Sequence, residues 1–514
     1  MLTSIKDKKF LFPLAALIII IFIEIIFILI LNSGLFVYTT DDAYIHLSLS
    51  ENIVNGHYGI NPGENSSPSS SIIWAFILTP FNLINFIEIA PLLINILASA
   101  GSVYIFFLFL IKIFNKELDE SKYEKIIILF NILLIISANL VGFIFNGMEH
   151  SLQLLLTFLI IYGLILNITE NKLPAWVLPV IVIAPLIRYE NLALSFVSLI
   201  FLYLQGKKRE ALISFLIIII LAGSFSLFLL NIGLHPLPLS VMKKSSFTSP
   251  TGIEGIVNNL IENLFNPRAL LLFIISLLLL YSSQKEILKE KKLFVVLFIA
   301  AVWIHLIFGG NRRYVVYIWS ASLLVLLFVY RDRLIRIINR YSFKRILIIF
   351  LFPFAVISFF YLMNIFTIPI ASNNIYEQHY QMHRFAADYY KKPVAVNDIG
   401  YVSFKNDNYV LDLVGLASSE ALKYSISRNS TEWINVLSKK HNIELAMIYD
   451  EWFEDIPKSW YKAGKLYLGK IKITPSRKAV SFYLLNEGRK EETLSLLKKF
   501  SETLPEGVKF IFNE

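Results

Sequence analysis

The chain has 514 residues, of which 56% are hydrophobic and only 17% charged, with a net charge of +9. A soluble globular chain carries about 25% charged residues, and the apolar residues here fall in runs near the roughly 20 residues that a bilayer span requires. Soluble multidomain, disordered, collagen-like and nucleic-acid-binding classes are therefore excluded. The absence of cysteine also removes disulfides, thiolate metal sites and cysteine nucleophiles.

In chain order, Lys6, Lys8 and Lys9 precede an apolar run over 10–31 that is broken only by Pro13 and Glu24. The run is too long for the apolar region of a signal peptide and lacks a clear small-residue cleavage site, so it reads as a retained first transmembrane helix. Further spans are expected near 86–111, 126–145, 150–168, 174–187, 190–204, 211–232, 269–282, 293–308, 314–330 and 346–368. That gives about 11 transmembrane helices. The segments 174–187 and 190–204 flank Arg188-Tyr189-Glu190-Asn191 and read as two helices or one broken one.

With the N-terminus in the cytoplasm, the loops Lys112–Lys125, Lys207–Arg209, Lys285–Lys292 and Arg331–Arg345 fall inside and hold most loop lysines and arginines. This is the distribution the positive-inside rule requires. The positive charge is thus topological and calls for no anionic partner. An odd number of spans puts the C-terminus outside a cytoplasmic (inner) membrane.

Three outside segments are long: 33–85, 233–267 and 370–514. The chain therefore divides into a transmembrane module, 1–369, and an extracytoplasmic domain, 370–514. The domain alternates strand-like pieces (394–396, 409–413, 445–449, 479–484, 508–512) with helix-like ones (376–390, 431–440, 491–504), which suggests a small α/β domain.

The first outside loop holds the densest polar signal. Thr40 is a candidate N-cap, and Asp41 and Asp42 suit a helix's first turn. Ile45, Leu49 and Ile53 then share one helical face, so the segment to Asn55 reads as an amphipathic helix lying on the membrane surface. Neighbouring residues on a helix point about 100° apart, so the two aspartates cannot do the same job. Asn61-Pro62-Gly63 makes a turn before Glu64. His46 lies four residues after Asp42 and shares its face.

The string Asp41-Asp-Ala-Tyr-Ile45, Asn52, Gly56, Asn61-Pro-Gly-Glu64 and Ser67-Pro68 through Trp74 resembles the first outer loop of GT-C-type polytopic membrane glycosyltransferases. It is nearest to the terminal arabinofuranosyltransferase-like branch and its uncharacterised bacterial relatives. The resemblance continues in order through Gly147-Met-Glu149, Arg188-Tyr-Glu190-Asn, Pro236-Leu-Pro238 with Lys243, Gly309 to Tyr314, and Asn397-Asp398-Ile-Gly400 with Asp412 to Leu416. Ser48 stands where relatives often have Arg, and Asn311 where they have Asp.

The resemblance implies a GT-C-like α-helical membrane protein with a C-terminal extracytoplasmic α/β domain. It implies transfer of a sugar, a pentose in that branch, from a polyprenyl-phosphate donor to a glycan or glycolipid acceptor outside the membrane. An acceptor hydroxyl needs a carboxylate base within hydrogen-bond reach. A leaving lipid phosphate needs cations, which Arg supplies through bidentate contacts. By similarity Asp41 would be the base and Asp42 would hold the acceptor or the helix. Lys243, Arg312, Arg313 and Arg188 would bind the donor phosphate, and Glu64, Glu149, Glu190 and His46 would support them. No metal-ligand spacing is present, so no metal or other cofactor is expected. Structural alternatives stand beside these roles: Arg312 and Arg313 could reach lipid headgroups, and Arg188 could simply pair with Glu149 or Glu190. A multi-pass transporter or flippase of lipid-linked substrates is the competing function. It would place ionisable groups in mid-span with broken helices, for which Glu24 and the break at 188–191 are the sequence hints.

Overall fold

The computed structural model describes residues 8–114, 117–244, 253–286, 288–310, 312–427, 432–453 and 455–513. Among them, six helices are long and apolar enough to cross a membrane: Lys8–Leu31, Ala90–Phe114, His150–Glu170, Lys208–Asn231, Lys289–Phe308 and Phe343–Tyr390. Two bent pairs, Glu254–Phe265 with Ala269–Gln284 and Arg313–Val329 with Arg331–Arg340, raise the number to eight. Their outer faces leave Phe12, Phe22, Ile30, Phe352 and Phe366 more than half exposed. Apolar faces of that extent are unstable in water and belong against lipid.

One segment departs from the expected spans. The run 126–145 is not one helix: Glu120–Ser137 ends at Ala138, Asn139 takes a left-handed conformation (φ 51°), and Leu140–Phe145 starts anew. Asn is among the few residues that adopt this conformation readily. At 188–191 the expected break is present. Val177–Ile187 stops at Arg188, whose backbone is extended, and a short turn at Tyr189–Asn191 leads into Leu192–Leu204.

The last long helix carries no break at residue 370. It continues as wider helical turns through Tyr390, so the membrane module runs into the C-terminal domain on a single helix. At the crossing point polar side chains tie it to its surroundings. Ser372 Oγ donates to the Val37 carbonyl (2.6 Å), and Asn374 Nδ2 donates to the Ile471 carbonyl (3.1 Å).

The C-terminal domain is a six-stranded sheet in the order β2-β1-β3-β5-β4-β6. The strands are β1 Val394–Val396, β2 Val410–Asp412, β3 Leu445–Ile448, β4 Tyr461–Tyr467, β5 Ala479–Leu484 and β6 Lys509–Phe512. β1 pairs in parallel with β2 and β3, and the remaining pairs are antiparallel. Val394 and Val396 pack with Phe385, Leu497 and Phe500 on one face, while Ala395 packs with Ile434 and Leu437 on the other. This alternation is the period-two signature of a strand covered on both faces.

The first-loop helix, Asp42–Val54, has a different setting from the one expected. Every residue from Ala43 to Ser50 is buried, on both faces. Ile45 joins the core of the C-terminal domain, while Leu49 joins a cluster with Leu186 and Phe225 of the membrane module. The helix is a wedge between two bodies rather than a surface helix. Periodicity reveals its apolar face but not that a second body covers its polar face. Thr40 is not its N-cap either: its hydroxyl donates to the Asn146 carbonyl (2.9 Å), fixing the loop to the membrane module instead.

Candidate functional site

The two aspartates at the start of this helix point into opposite bodies. Asp41 faces the C-terminal domain, where its Oδ2 accepts the N–H of Gly400 and its Oδ1 that of Tyr401, each at 2.8 Å. These are free N–H groups at the start of the short helix Gly400–Ser403, where a carboxylate is favoured. Gly400 is required for the approach, since a Cβ there would lie 2.0 Å from the Asp41 carbonyl oxygen. Asp398 and His379 complete the surroundings, with His379 Nε2 at 3.1 Å from Asp398 Oδ2. Burial pushes the Asp41 carboxyl up to about 6; His379 and the two N–H groups oppose the rise, and Asp398 adds to it.

Other motif residues of the loop serve the same junction. Asn61 pairs like a strand with the edge of β2: its Oδ1 accepts the Val410 N–H (2.7 Å) and its Nδ2 donates to the Val410 carbonyl (3.0 Å). Glu64 accepts the Tyr409 hydroxyl at 2.5 Å. Tyr44 stacks on Tyr401 with ring centroids 3.8 Å apart. Glu64, expected beside the chemistry, is thus a tie between the loop and the C-terminal domain.

Asp42 faces the membrane module. Its carboxylate pairs with Arg313, about a quarter exposed, at the start of the Arg312–Val315 turn. Arg313 and Arg188 both lie against the Tyr314 ring, 5.2 and 5.1 Å from its centroid. Arg188, 1% exposed, donates to Glu149 at 2.5 Å and to Glu190 through two contacts of 2.9 and 3.1 Å. His46 Nε2 stands 3.7 Å from the other oxygen of Glu149. Tyr317 donates to the Glu190 carbonyl (2.7 Å) and contacts His305 Nδ1 (3.2 Å). A cavity of about 320 Å³ opens against this cluster, lined by Ser70, Arg188, Glu190, Ser240, His305 and Tyr314.

The structure therefore brings together Asp42, His46, Glu149, Arg188, Glu190 and Arg313, which come from four segments far apart in sequence. It separates Asp41 and Glu64 from them. Arg188, expected to bind phosphate, is already held by two carboxylates, the structural alternative anticipated for it. Lys243 lies in the helix Leu239–Lys244, next to the wall of the cavity at Ser240 and Val241, and Arg312 lies in the turn that bears Arg313. The side chains of Lys243 and Arg312, and the whole of Asn311, lie outside the described residues.

His379 and Asp398 escaped the sequence reading as site residues. They are 19 positions apart and more than 330 from Asp41, so no local spacing signals the cluster. Asp412, the other aspartate of the motif, forms a turn, accepting the N–H groups of Val414 (2.8 Å) and Ala417 (2.7 Å).

Comparison with known proteins adds a match to a family described as "Domain of unknown function (DUF8728)" over residues 373–483, within the C-terminal domain. No curated protein sequence matches the chain. Among solved structures, the Archaeoglobus fulgidus oligosaccharyltransferase complex with Zn and sulfate is similar at 12% identity, with a TM-score of 0.46 over 96% of this chain and 75% of that one. The oligosaccharyltransferase AglB from the same organism, in complex with an inhibitory peptide and a dolichol-phosphate, gives the same identity and TM-score over 98% of this chain and 76% of that one.

Proposed function

We propose that this chain is a membrane glycosyltransferase of the GT-C type. It moves a sugar from a polyprenyl-phosphate donor to a glycan or lipid-linked acceptor on the outer side of the cytoplasmic membrane. The observation that carries this reading is a run of contacts, Asp42 with Arg313, Arg313 and Arg188 with the Tyr314 ring, and Arg188 with Glu149 and Glu190, that reaches a cavity lined by Arg188, Glu190 and Tyr314. That cavity lies among apolar helices, on the same end of the molecule as the C-terminal domain. A lipid tail can lie against the helices while an acceptor enters from water, which a lipid-linked transfer requires.

In the proposed step, the acceptor hydroxyl oxygen attacks the anomeric carbon and its proton passes to a carboxylate. The bond from the anomeric carbon to the phosphate oxygen breaks, and its electron pair leaves with the phosphate, inverting the centre. Although the leading acid resembles the family's base, we assign the proton acceptor to Asp42, because both Asp41 oxygens are engaged by backbone N–H groups. Arg313 holds Asp42 in the resting protein. A donor phosphate competing for Arg313 frees the carboxylate, coupling donor arrival to the availability of the base. Lys243 and Arg312 are the further phosphate candidates; Arg188 orients Glu149 and Glu190.

The test uses the purified full chain in nanodiscs with a panel of polyprenyl-phosphate sugars, pentoses first, and envelope glycan as acceptor. Wild type is expected to release lipid phosphate from one donor, and Asp42→Asn to lower that turnover by about 10²-fold or more while remaining folded. A folded wild type that consumes no donor across the panel sinks the proposal and moves the transporter reading forward. Equal activity of Asp42→Asn, with loss in Asp41→Asn, would return the base to Asp41.

A further inference from the structure

We propose that residues 469–478, the turn joining β4 to β5, form a membrane-interface clamp that binds anionic lipid headgroups on the C-terminal domain's side of the bilayer. The clamp is separate from the transferase reading and stands whether or not the chain transfers sugar. The segment reads Gly469-Lys-Ile-Lys-Ile-Thr-Pro-Ser-Arg-Lys478, with four cations, Lys470, Lys472, Arg477 and Lys478, and no acid. Among the cations stand Ile471 and Ile473, 68% and 39% exposed. Buried polar groups of the long helix and its continuation fasten the turn. Asn374 Nδ2 donates to the Ile471 carbonyl (3.1 Å), and its Oδ1 accepts the Ile473 N–H (2.7 Å). Glu377 accepts the N–H groups of Gly469 (2.8 Å) and Lys470 (3.2 Å), and Gln378 donates to the Arg477 carbonyl (3.3 Å).

The same rung of the helix marks where the lipid-facing surface ends. Asn373 Nδ2 donates to the Leu31 carbonyl (3.0 Å) at the end of the first span, and Ile30 beside it is 67% exposed. Phe366, equally exposed, precedes Asn374 by eight residues, which is about 12 Å along a helix. Headgroups add about 5–8 Å on each side of the hydrocarbon core, so a turn tied at Asn374 falls in the headgroup layer. At that depth apolar side chains reach toward the acyl boundary and cations meet phosphate. Part of the charge is answered within the protein: Lys470 Nζ lies 3.5 Å from Glu377, and Arg477 Nε 3.3 Å from Glu451. Lys472 Nζ donates to the carbonyls of Pro475 (3.2 Å) and Ser476 (3.4 Å), which leaves its charge in place. Four cations against these two acids keep the turn positive. The exposed isoleucines favour a lipid surface over a soluble polyanion, and the residual charge favours anionic lipid.

The chain has no cysteine, so Ile471→Cys and Ile473→Cys each take a spin label at one known place. Neither isoleucine holds the turn through its side chain, since Asn374 meets only their backbone. The labelled full chain would be placed in nanodiscs of phosphatidylcholine, with and without phosphatidylglycerol. Relaxation by oxygen, which concentrates in lipid, and by a neutral nickel chelate, which stays in water, reads the depth of each label, with Phe366→Cys marking the hydrocarbon. Both labels are expected within about 5–10 Å of the boundary between headgroups and acyl chains, and deeper when phosphatidylglycerol is present. Lys472→Gln combined with Lys478→Gln should move them outward in the anionic nanodiscs and leave them in place in the neutral ones. Raising the salt from about 0.01 to about 1 M, which cuts the screening length from about 30 to about 3 Å, should do the same. Labels in bulk water in both lipids, or at a depth indifferent to anionic lipid, salt and the two substitutions, would overturn the clamp. So would labels that leave water only when envelope protein is added, which would make this face a protein-docking surface.

Discussion

The two ends of the helical module use charge in different ways. At the end away from the C-terminal domain, Lys112 meets Glu170 at 2.6 Å, and Arg331 meets Glu117 and Asp332, all with side chains about a quarter or more exposed. At the other end, Arg188 and Glu149 are 1% and 0% exposed and Glu190 is 19% exposed. Exposed pairs gain little because water and salt screen them, about 0–1 kcal/mol. Buried charges persist only when each has its partner. The first set lies in or beside the segments between spans that are rich in lysine and arginine. The second is costly to keep and is the set that surrounds a cavity.

The largest effect expected from this contrast is that of Arg188→Gln. It removes the guanidinium that satisfies two carboxylates and leaves Glu149 buried without a cation. Breaking a buried pair in this way costs about 3–5 kcal/mol. Thermal unfolding in nanodiscs should show a large drop in midpoint. The double variant Arg188→Gln with Glu149→Gln should recover part of it, because the orphaned charge is then gone. If the single variant unfolds like wild type, the cluster is hydrated and the two ends do not differ as described.

A second contrast lies within the first loop, between Asp41 and Asp42. Gly400→Ala tests the Asp41 side without touching a charge. The added methyl would sit 2.0 Å from the Asp41 carbonyl oxygen and 2.6 Å from its Oδ2, so the loop or the Gly400–Ser403 helix must move. Overpacking of this kind costs about 1–3 kcal/mol. The Asp42–Arg313 pair on the other side should persist. Limited proteolysis should therefore find the C-terminal domain loosened while the membrane module keeps its fold. Protection equal to wild type would mean that the junction does not depend on Asp41.

The parts of this arrangement differ in how far they can be read from sequence. Long apolar runs gave most helices close to their bounds, because a bilayer imposes length and composition together. The break at Arg188 was legible as a polar interruption between apolar runs. β4 was not, since Lys462, Gly464 and Lys465 interrupt the apolar alternation, and its pairing with β5 shifts register between Lys462 and Gly464. Asn61 and Glu64 stood out as motif residues, but their partners, Val410 and Tyr409, are set by docking of the two bodies. The same holds for His379 and Asp398. The order of motifs along the chain identifies what converges; it does not say which aspartate faces which body.

Asp450 offers a smaller and intermediate case. It accepts from Lys462 (2.6 Å) and Tyr483 (3.0 Å), with Lys465 at 3.0 Å, in a group about a quarter exposed. Burial opposes ionisation there, but the hydrogen bonds from Lys462, Ser481 and Lys465 outweigh it and bring the carboxyl from 3.8 down to about 2. A depressed carboxyl stabilises the fold above its unfolded value and loses that contribution as pH falls from about 4 toward 2. Asp450→Asn should therefore cost on the order of 1 kcal/mol at neutral pH and remove part of the acid sensitivity of the C-terminal domain. Thermal melts at pH 7 and pH 3 check both. A variant whose loss is the same at both pH values would show that the carboxylate's charge plays no part.

Lys112→Ala should have the smallest effect. Its partner Glu170 is 44% exposed, and the lysine itself 30%. Removing one member strands no buried charge, because the remaining carboxylate is already wetted. The stability change should stay under about 1 kcal/mol and shrink further as salt rises from low to physiological strength. Donor turnover should be unchanged, since the pair sits at the end of the helices away from Asp42 and Arg313. A loss comparable with that of Arg188→Gln would mean that the exposed end stabilises the bundle through its ion pairs, and the division of labour between the two ends would fail.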